Sequence, residues 1–429
     1  MSIYKAMWTG VSGLAAEGQA LGVVGDNIAN SNTLGFKMSR AMFEDVLGGA
    51  VGQNVGGGVR MNRAQQIFSQ GTMINTGQPT DVALTGEGFF VVKGSMDGVT
   101  GDFFTRAGNF MPDANGFLVS PQGLRVQGYG VNPDGTIGST LGDIQFPTGP
   151  LPPKASTSFE LDGSLDANAT TPAAGAFNVA DPANTSNFSK TMTVYDSLGN
   201  THDLTVYFSK SPAPATNEWT YNVTVEGTEV GQPTPGPFEI GSGTLTFDTN
   251  GALDTSVVGV PIAPSFTGAA PSQAIDLDFG TSIAAGGTGL DGITQPAGAS
   301  SVSASGDGYA SGTLSGVRIE SDGQVMGVYS NGEDMALAQL AVAKFATNDG
   351  LGRAGHNSWI ATRKSGEAMI GKAGEGGRAA VVSGALEQSN VDIAGQFVSM
   401  ISHQRAFQAN SKTITTADEM LQEVVNLKR

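Results

Sequence analysis

The sequence predicts a mainly β protein with α-helical termini: two β-rich domains, one inserted in the other, plus a terminal coiled-coil helix pair. Three observations carry this. Near the N-terminus, Ile3, Met7, Leu14, Leu21, Val24 and Ile28 recur at helical spacing, and Met7, Leu14, Leu21 and Ile28 stand seven residues apart. Near the C-terminus, Ile393, Met400, Phe407, Ile414 and Leu421 repeat the heptad, with Phe397 and Val425 in the alternate seam position. Between the two, short apolar runs alternate with glycine-rich turns, which is a strand-and-hairpin texture.

Taken in order, residues 1–30 form the first helix, and Asn30, Ser31, Asn32 and Gly35 stop it. Gly10, Gly13, Gly18, Gly22 and Gly25 lie inside that helix, and each interior glycine costs ~1 kcal/mol against alanine. Such a helix is held by burying its stripe, either in a hairpin on the chain's own core or against other copies of the chain. Residues 31–70 read as a connector with little periodicity and a Gly56-Gly57-Gly58 patch.

Residues 71–146 carry the first strands of an outer β domain. Its apolar runs are Val82–Leu84, Phe89–Val92, Phe103-Phe104, Phe117–Val119 and Val126, parted by turns such as Asp113–Gly116 and Pro133–Gly135. The four prolines between Pro147 and Pro153 mark a boundary. Residues 147–306 then form an inserted acidic β domain, with strands at Met192–Tyr195, Leu204–Phe208, Trp219–Val225 and Gly243–Phe247. Its last stretch, 284–306, nearly lacks large apolar residues and reads as a return linker. Residues 307–365 resume the outer domain through Val317–Ile319, Val325–Tyr329 and Leu337–Phe345. Residues 366–385 are a second connector, and 386–429 the C-terminal core helix.

Composition narrows the function. Net charge is -17, and the stretch 147–306 holds 3 Lys against 15 Asp or Glu. That argues against nucleic acid, which is bound by neutralising phosphates, and against anionic membrane. No run of about twenty apolar residues offers a span. The chain has 0 Cys, so disulfides add nothing. The first twenty residues show no Sec-type signal.

Fragments of chemistry are present, but none is complete. Gly366, Gly371 and Lys372 have phosphate-loop spacing, yet Ala373 stands where a magnesium-binding hydroxyl belongs, so a flexible turn is the reading. His202, His356 and His403 are scattered, without zinc-site spacing; His202 reads as making a surface hydrogen bond. The Asp/Asn/Gly clusters at 113–116, 248–251 and 322–323 lack the full calcium-loop series and read as hairpin turns. Tyr195, Tyr207, Trp219 and Tyr221, in alternating strands, read as core before carbohydrate site. No catalytic, cofactor or metal site is expected, and the reading is structural rather than enzymatic.

A resemblance sharpens this. Ser12–Leu21 (SGLAAEGQAL), Asp26–Lys37 (DNIANSNTLGFK) and Leu386–Arg429 (LEQSNVDIAG onward) resemble the terminal signatures of the bacterial flagellar axial proteins, the rod and hook family. Residues 86–123, 193–208 and 328–362 resemble the hook branch of that family. The match is strong at both ends and thin between. It implies a self-assembling tubular polymer whose inner core is lined by the terminal helices, through Met7, Leu14, Leu21, Ile28, Ile393, Phe397, Met400, Phe407, Ile414 and Leu421, with the β domains stacked outside. It further implies a flagellar, extracellular location, reached without signal cleavage through the type III export gate. Phe43 and Leu47 resemble the short element shown to that gate; an aromatic and an aliphatic sharing one helical face is the plainer alternative. The implied partners are further copies of the chain, the distal rod protein, the hook–filament junction protein, the hook cap and the hook-length control protein. Two rivals stay open at this point: a distal rod protein of the same family, which would lack the insert, and a secreted β-rich adhesin, which leaves the heptads unexplained.

Overall fold

The computed structural model describes residues 3–47, 56–132, 135–173, 175–212 and 217–426. The expected turn at Pro133-Asp134 and the last three residues of the C-terminal helix lie outside them. The chain divides into two compact units: Met1–Thr148 with Ser315–Val328 and Asp334–Arg429, and Gly149–Leu314 with Tyr329–Glu333.

The first unit carries both terminal helices, Ile3–Ala29 and Ile393–Asn426. They pack on one another within the single chain. Gly10 faces Ile414, Glu17 meets His403 and Asn27 meets Gln396, so the pair is antiparallel. The fully buried face of the first helix is Gly10, Gly13, Ala16, Ala20, Val24 and Asn27. Its expected seam, Met7, Leu14, Leu21 and Ile28, is half-buried on the flank. Small residues win the centre because they let the backbones approach: a Cβ at Gly13 would lie 2.6 Å from Asn410 Nδ2. The last helix starts at Asp392, whose Oδ1 accepts from Ala394 N at 3.1 Å, an N-cap that satisfies a free amide.

Two stretches expected as connectors are strands. Ser39–Leu47 and Gly56–Gln66 pair antiparallel into a long hairpin packed against the first helix. Bulges at Met42/Phe43 and Asp45/Leu47 spoil the alternation that would have announced it. Met369–Lys372, Ala380–Ser383 and Ala385–Glu387 are also strands. The first pairs with Asp334–Lys344, so the phosphate-loop-like fragment runs into a sheet rather than a flexible turn. The last opens the segment expected to be helical from residue 386.

Among the described residues, the outer β body is one sheet of 12 strands with small satellite ladders. Phe89–Met96 and Asp334–Lys344 lie at its centre. They bury Phe89, Val91, Ala341 and Ala343 with Phe104, Phe345 and Trp359. The rings meet edge-on or tilted, Phe104 to Phe345 at 4.8 Å and Phe89 to Trp359 at 5.4 Å, the arrangements aromatic quadrupoles favour.

The second unit has its own core between two sheets. One is a five-stranded antiparallel meander, Phe188–Tyr195, Thr201–Lys210, Glu218–Glu226, Pro237–Phe247 and Leu253–Val260. The other is built on Ser158–Ser164, flanked by Asp276–Asp278, Ile293–Thr294 and Ser301–Gly306. Thus 284–306 supplies two strands where a linker was expected. Short, Ser- and Gly-rich strands gave no apolar run to read. Trp219, Tyr221, Phe208 and Leu245 of the meander pack with Phe159, Leu161, Ile293 and Val302. Trp219 and Tyr221 are therefore core.

At the exit of this unit, Asp307 accepts from Thr157 N at 2.7 Å, Thr157 Oγ1 at 2.6 Å and Ser158 N at 3.0 Å, beside Lys154 at 3.1 Å. Burial raises its pKa, but these bonds together outweigh burial and hold the carboxyl far below its ordinary value. A carboxyl depressed on folding stabilises fully above its unfolded pKa of about 3.9, and that stability is lost as pH falls toward the folded value. The Asp307→Asn variant should therefore unfold less stably than the parent at pH 6, with the gap closing as the acid limb is descended below pH 4. Melts across that range check it; a constant gap would assign the carboxylate no part in the pH dependence.

Candidate functional site: a polar clasp joining the chain ends

Three segments far apart in sequence converge in the first unit. The segment Leu34–Lys37 leaves the first helix, Thr105–Gly108 follows a central strand, and Leu386–Asn390 leads into the last helix. Glu387 stands where they meet, and its side chain is fully buried. Its Oε1 accepts from Lys37 Nζ at 2.6 Å and from Gly71 N at 2.8 Å, and its Oε2 lies 3.3 Å from Arg106 Nη1. Lys37 Nζ also donates to Ser69 O at 2.8 Å, and Arg106 Nη2 to Gly86 O at 2.6 Å. The Arg106 guanidinium lies 5.4 Å from the Phe89 ring centre.

The backbone is shaped for the same purpose. Gly35 adopts φ +66°, and a Cβ there would stand 2.6 Å from Ala107 N. The bare residue lets its own N–H reach Glu387 O at 2.8 Å.

Electrostatically the cluster is costly unless complete. Burial pushes the Lys37 ammonium down from its ordinary pKa; Glu387 pulls it back up, and Arg106 adds to the lowering. Burial likewise lowers Arg106, against the pull of Glu387. Two cations share one carboxylate out of water, so loss of Glu387 would strand both.

Two amides extend the clasp. Asn27, in the first helix, donates to Ser39 O at 2.7 Å and accepts from Ser39 N at 2.8 Å, taking the place of a neighbouring strand, and it donates to Gln396 Oε1 at 3.0 Å. Asn390 accepts from Met38 N at 2.7 Å and donates to Ile67 O at 2.8 Å. Helix, hairpin and last helix are thus stitched at one end. Further along, His403 Nδ1 lies 2.6 Å from Glu17 Oε2, and its ring lies 6.2 Å from that of Phe43. None of Lys37, Arg106, Glu387, Asn27 and Asn390 stood out by periodicity or spacing. They lie within the segments that carry the family resemblance, which was the one signal available.

The residues expected to mediate assembly divide in two. Met400, Phe407, Ile414 and Leu421 are half-buried, as are Met7, Leu14, Leu21 and Ile28. Ile393 and Phe397 stay 46% and 50% exposed. Phe43 and Leu47 lie on a strand, not a helix, and are exposed. His202 makes the hydrogen bond expected of it, but half-buried rather than at the surface. It bonds Glu229 at 2.8 Å and stacks on Phe266 at 3.8 Å inside the second unit.

Paired terminal helices clasped to a β body, with a second β unit inserted, define the fold; the comparisons assign it to a structural, non-enzymatic family. Four family descriptions match in chain order: flagella basal body rod protein over 7–37, flagellar hook protein FlgE/F/G D1 domain over 83–167, flagellar basal body protein FlaE D2 domain over 164–309, and flagellar basal body rod FlgEFG protein C-terminal over 382–427. The chain is 37% identical over 422 residues to the flagellar hook protein FlgE of Salmonella typhimurium, covering 97% of this chain and 98% of that one. It is 35% identical to that of Treponema pallidum, covering 99% and 100%. The fold resembles a crystal structure of the Helicobacter pylori flagellar hook protein FlgE2, with a TM-score of 0.51 at 17% identity, over 72% of this chain and 98% of that one. The chain belongs to the flagellar hook protein FlgE family. No helix among the described residues is long and apolar enough to cross a membrane.

Proposed function

We propose that the chain polymerises through its terminal helices into the bendable tube that joins rod to filament and passes motor torque around a bend. The observation that carries this is apolar surface left open at both ends of the helix pair. Tyr4 and Trp8 are 62% and 68% exposed on the first helix, and Phe397 and Val398 50% and 69% on the last. Such area on a monomer marks an interaction site. The antiparallel packing sets the two patches at opposite ends of the pair, which suits a head-to-tail contact that propagates as an open helix. The assembly residues are those named from the heptads, with Ile393 and Phe397 facing the neighbour. Partners at the tube's two ends are the distal rod protein and the hook–filament junction protein. The hook cap, the length-control protein and the export gate act during growth, with Phe43 and Leu47 offered to the gate before folding.

The inserted unit has a mechanical part in this reading. A rotating bent tube must let each row of subunits lengthen and shorten once per turn, so outer contacts must slide, and wet polar contacts allow this. Leu151 N donates to Gly312 O at 2.7 Å, which brings the two ends of the insert side by side. Replacing residues 152–311 by a short Gly/Ser linker should therefore leave the outer β body folded and tubes forming. Electron micrographs should show those tubes straight rather than supercoiled, with motility impaired. Normally curved tubes would leave the insert a spacer, and loss of all polymer would make it part of assembly itself.

A further inference from the structure

The inserted unit is acidic, yet one stretch of it carries no charge. From Thr255 to Ile275 the chain holds no Asp, Glu, Lys or Arg. This stretch begins on Leu253–Val260, which is an edge strand of the five-stranded sheet. An edge presents unpaired backbone groups, and proteins commonly guard it with Lys, Pro or inward charge. Here the strand runs on as Thr255-Ser256-Val257-Val258-Gly259-Val260, with Val257, Val258 and Val260 54%, 55% and 54% exposed. Pro261 ends it rather than guarding it. Beside it is a recess of about 430 Å³ whose lining includes Val258, Pro261, Ile262 and Ala274, with Asp276 as its one charged residue.

We infer that this unguarded edge, Thr255–Val260 with the recess beside it, is a contact surface for the inserted unit of a second copy of the chain. The occupant follows from charge. Every copy brings the same acidic unit, so two copies meet at least cost where carboxylates are sparse, and Thr255–Val260, between Asp254 and the Asp276 that lines the recess, is such a strip. Burying three half-exposed valines adds an attraction that salt does not screen, while the surrounding carboxylates repel over about a Debye length. The strip is short, so it adds one local attraction while the wet polar contacts around it still let neighbours slide. The inference rests on the polymer reading above and gives one of its outer contacts an address.

The chain has 0 Cys, so a single introduced thiol reports alone. Full-length Val258→Cys would be labelled with a maleimide as monomer and as polymer. Thr170→Cys, exposed on a loop near Asp166, would be carried alongside. Val258→Cys should react freely in the monomer and at least ~10-fold more slowly in tubes, with Thr170→Cys changing less. Equal reactivity of Val258→Cys in monomer and tube would overturn the contact while leaving the polymer reading intact. If neither variant nor parent forms tubes, the polymer reading fails and the contact with it. Val258→Lys gives an independent check: it should keep the monomer's melting temperature and yield tubes of altered curvature, and unchanged curvature would count against the contact.

Discussion

Replacing Glu387 by Leu is expected to destabilise the outer β unit by about 3–5 kcal/mol, the cost of stranding a buried charge without its counter-ion. Two cations are stranded here, Lys37 and Arg106, both with almost no exposed side-chain surface. Leu also leaves Gly71 N without its acceptor. The double variant Lys37→Met with Glu387→Leu should lose less than the sum of the two single changes, because each single change pays for the partner left behind. Urea unfolding followed by tryptophan fluorescence gives the four stabilities of that cycle. A loss below about 1 kcal/mol for Glu387→Leu would mean that water reaches the cluster and the clasp is not a closed one. A second readout separates local from global effect. The inserted unit has a separate core, so its own unfolding should be unmoved.

The parts of this molecule that sequence reading reached are those whose physics is local. The strands around Phe89–Val92 and Leu337–Phe345 announced themselves because a central strand is apolar on both faces. The helices announced themselves in their heptads, and the second compact unit begins at Gly149, among the prolines. What stayed hidden depends on distant partners. Ser39–Leu47 and Gly56–Gln66 are half-exposed and bulged, so neither alternation nor an apolar run marks them. Lys37 and Glu387 are separated by 350 positions, and nothing periodic links a lysine at one end to a glutamate at the other. The glycines show the limit most sharply. Counted alone, Gly10 and Gly13 only weaken a helix; in place, they are what lets Ile414 and Asn410 come close. Gly18, Gly22 and Gly25 have nothing within 4 Å of a built Cβ, so within one chain their cost has no such return.

Ile414→Asp and Phe397→Asp should both weaken tube formation at least ~10-fold, by different routes. Ile414 Cγ1 sits 3.0 Å from where a Cβ on Gly10 would be, inside the contact between the two helices. A carboxylate there faces helix backbone without a partner, at a cost of several kcal/mol. The helices of the monomer should then part, with helicity falling in circular dichroism and the termini becoming sensitive to protease. Phe397 is 50% exposed and holds less of that contact. Its Asp variant should keep the monomer's helicity, yet lose the apolar area a neighbour would cover. The critical concentration for polymerisation should rise at least ~10-fold for either, since each tenfold corresponds to about 1.4 kcal/mol. The β core around Phe89, Phe345 and Trp359 includes neither residue, so its melting temperature should hold in both. Sedimentation and electron microscopy decide. Normal tubes from Phe397→Asp would remove the exposed patch from the assembly interface. Normal tubes from Ile414→Asp, with the helices parted in the monomer, would mean that the neighbour rather than the chain's own first helix holds the last helix in the tube.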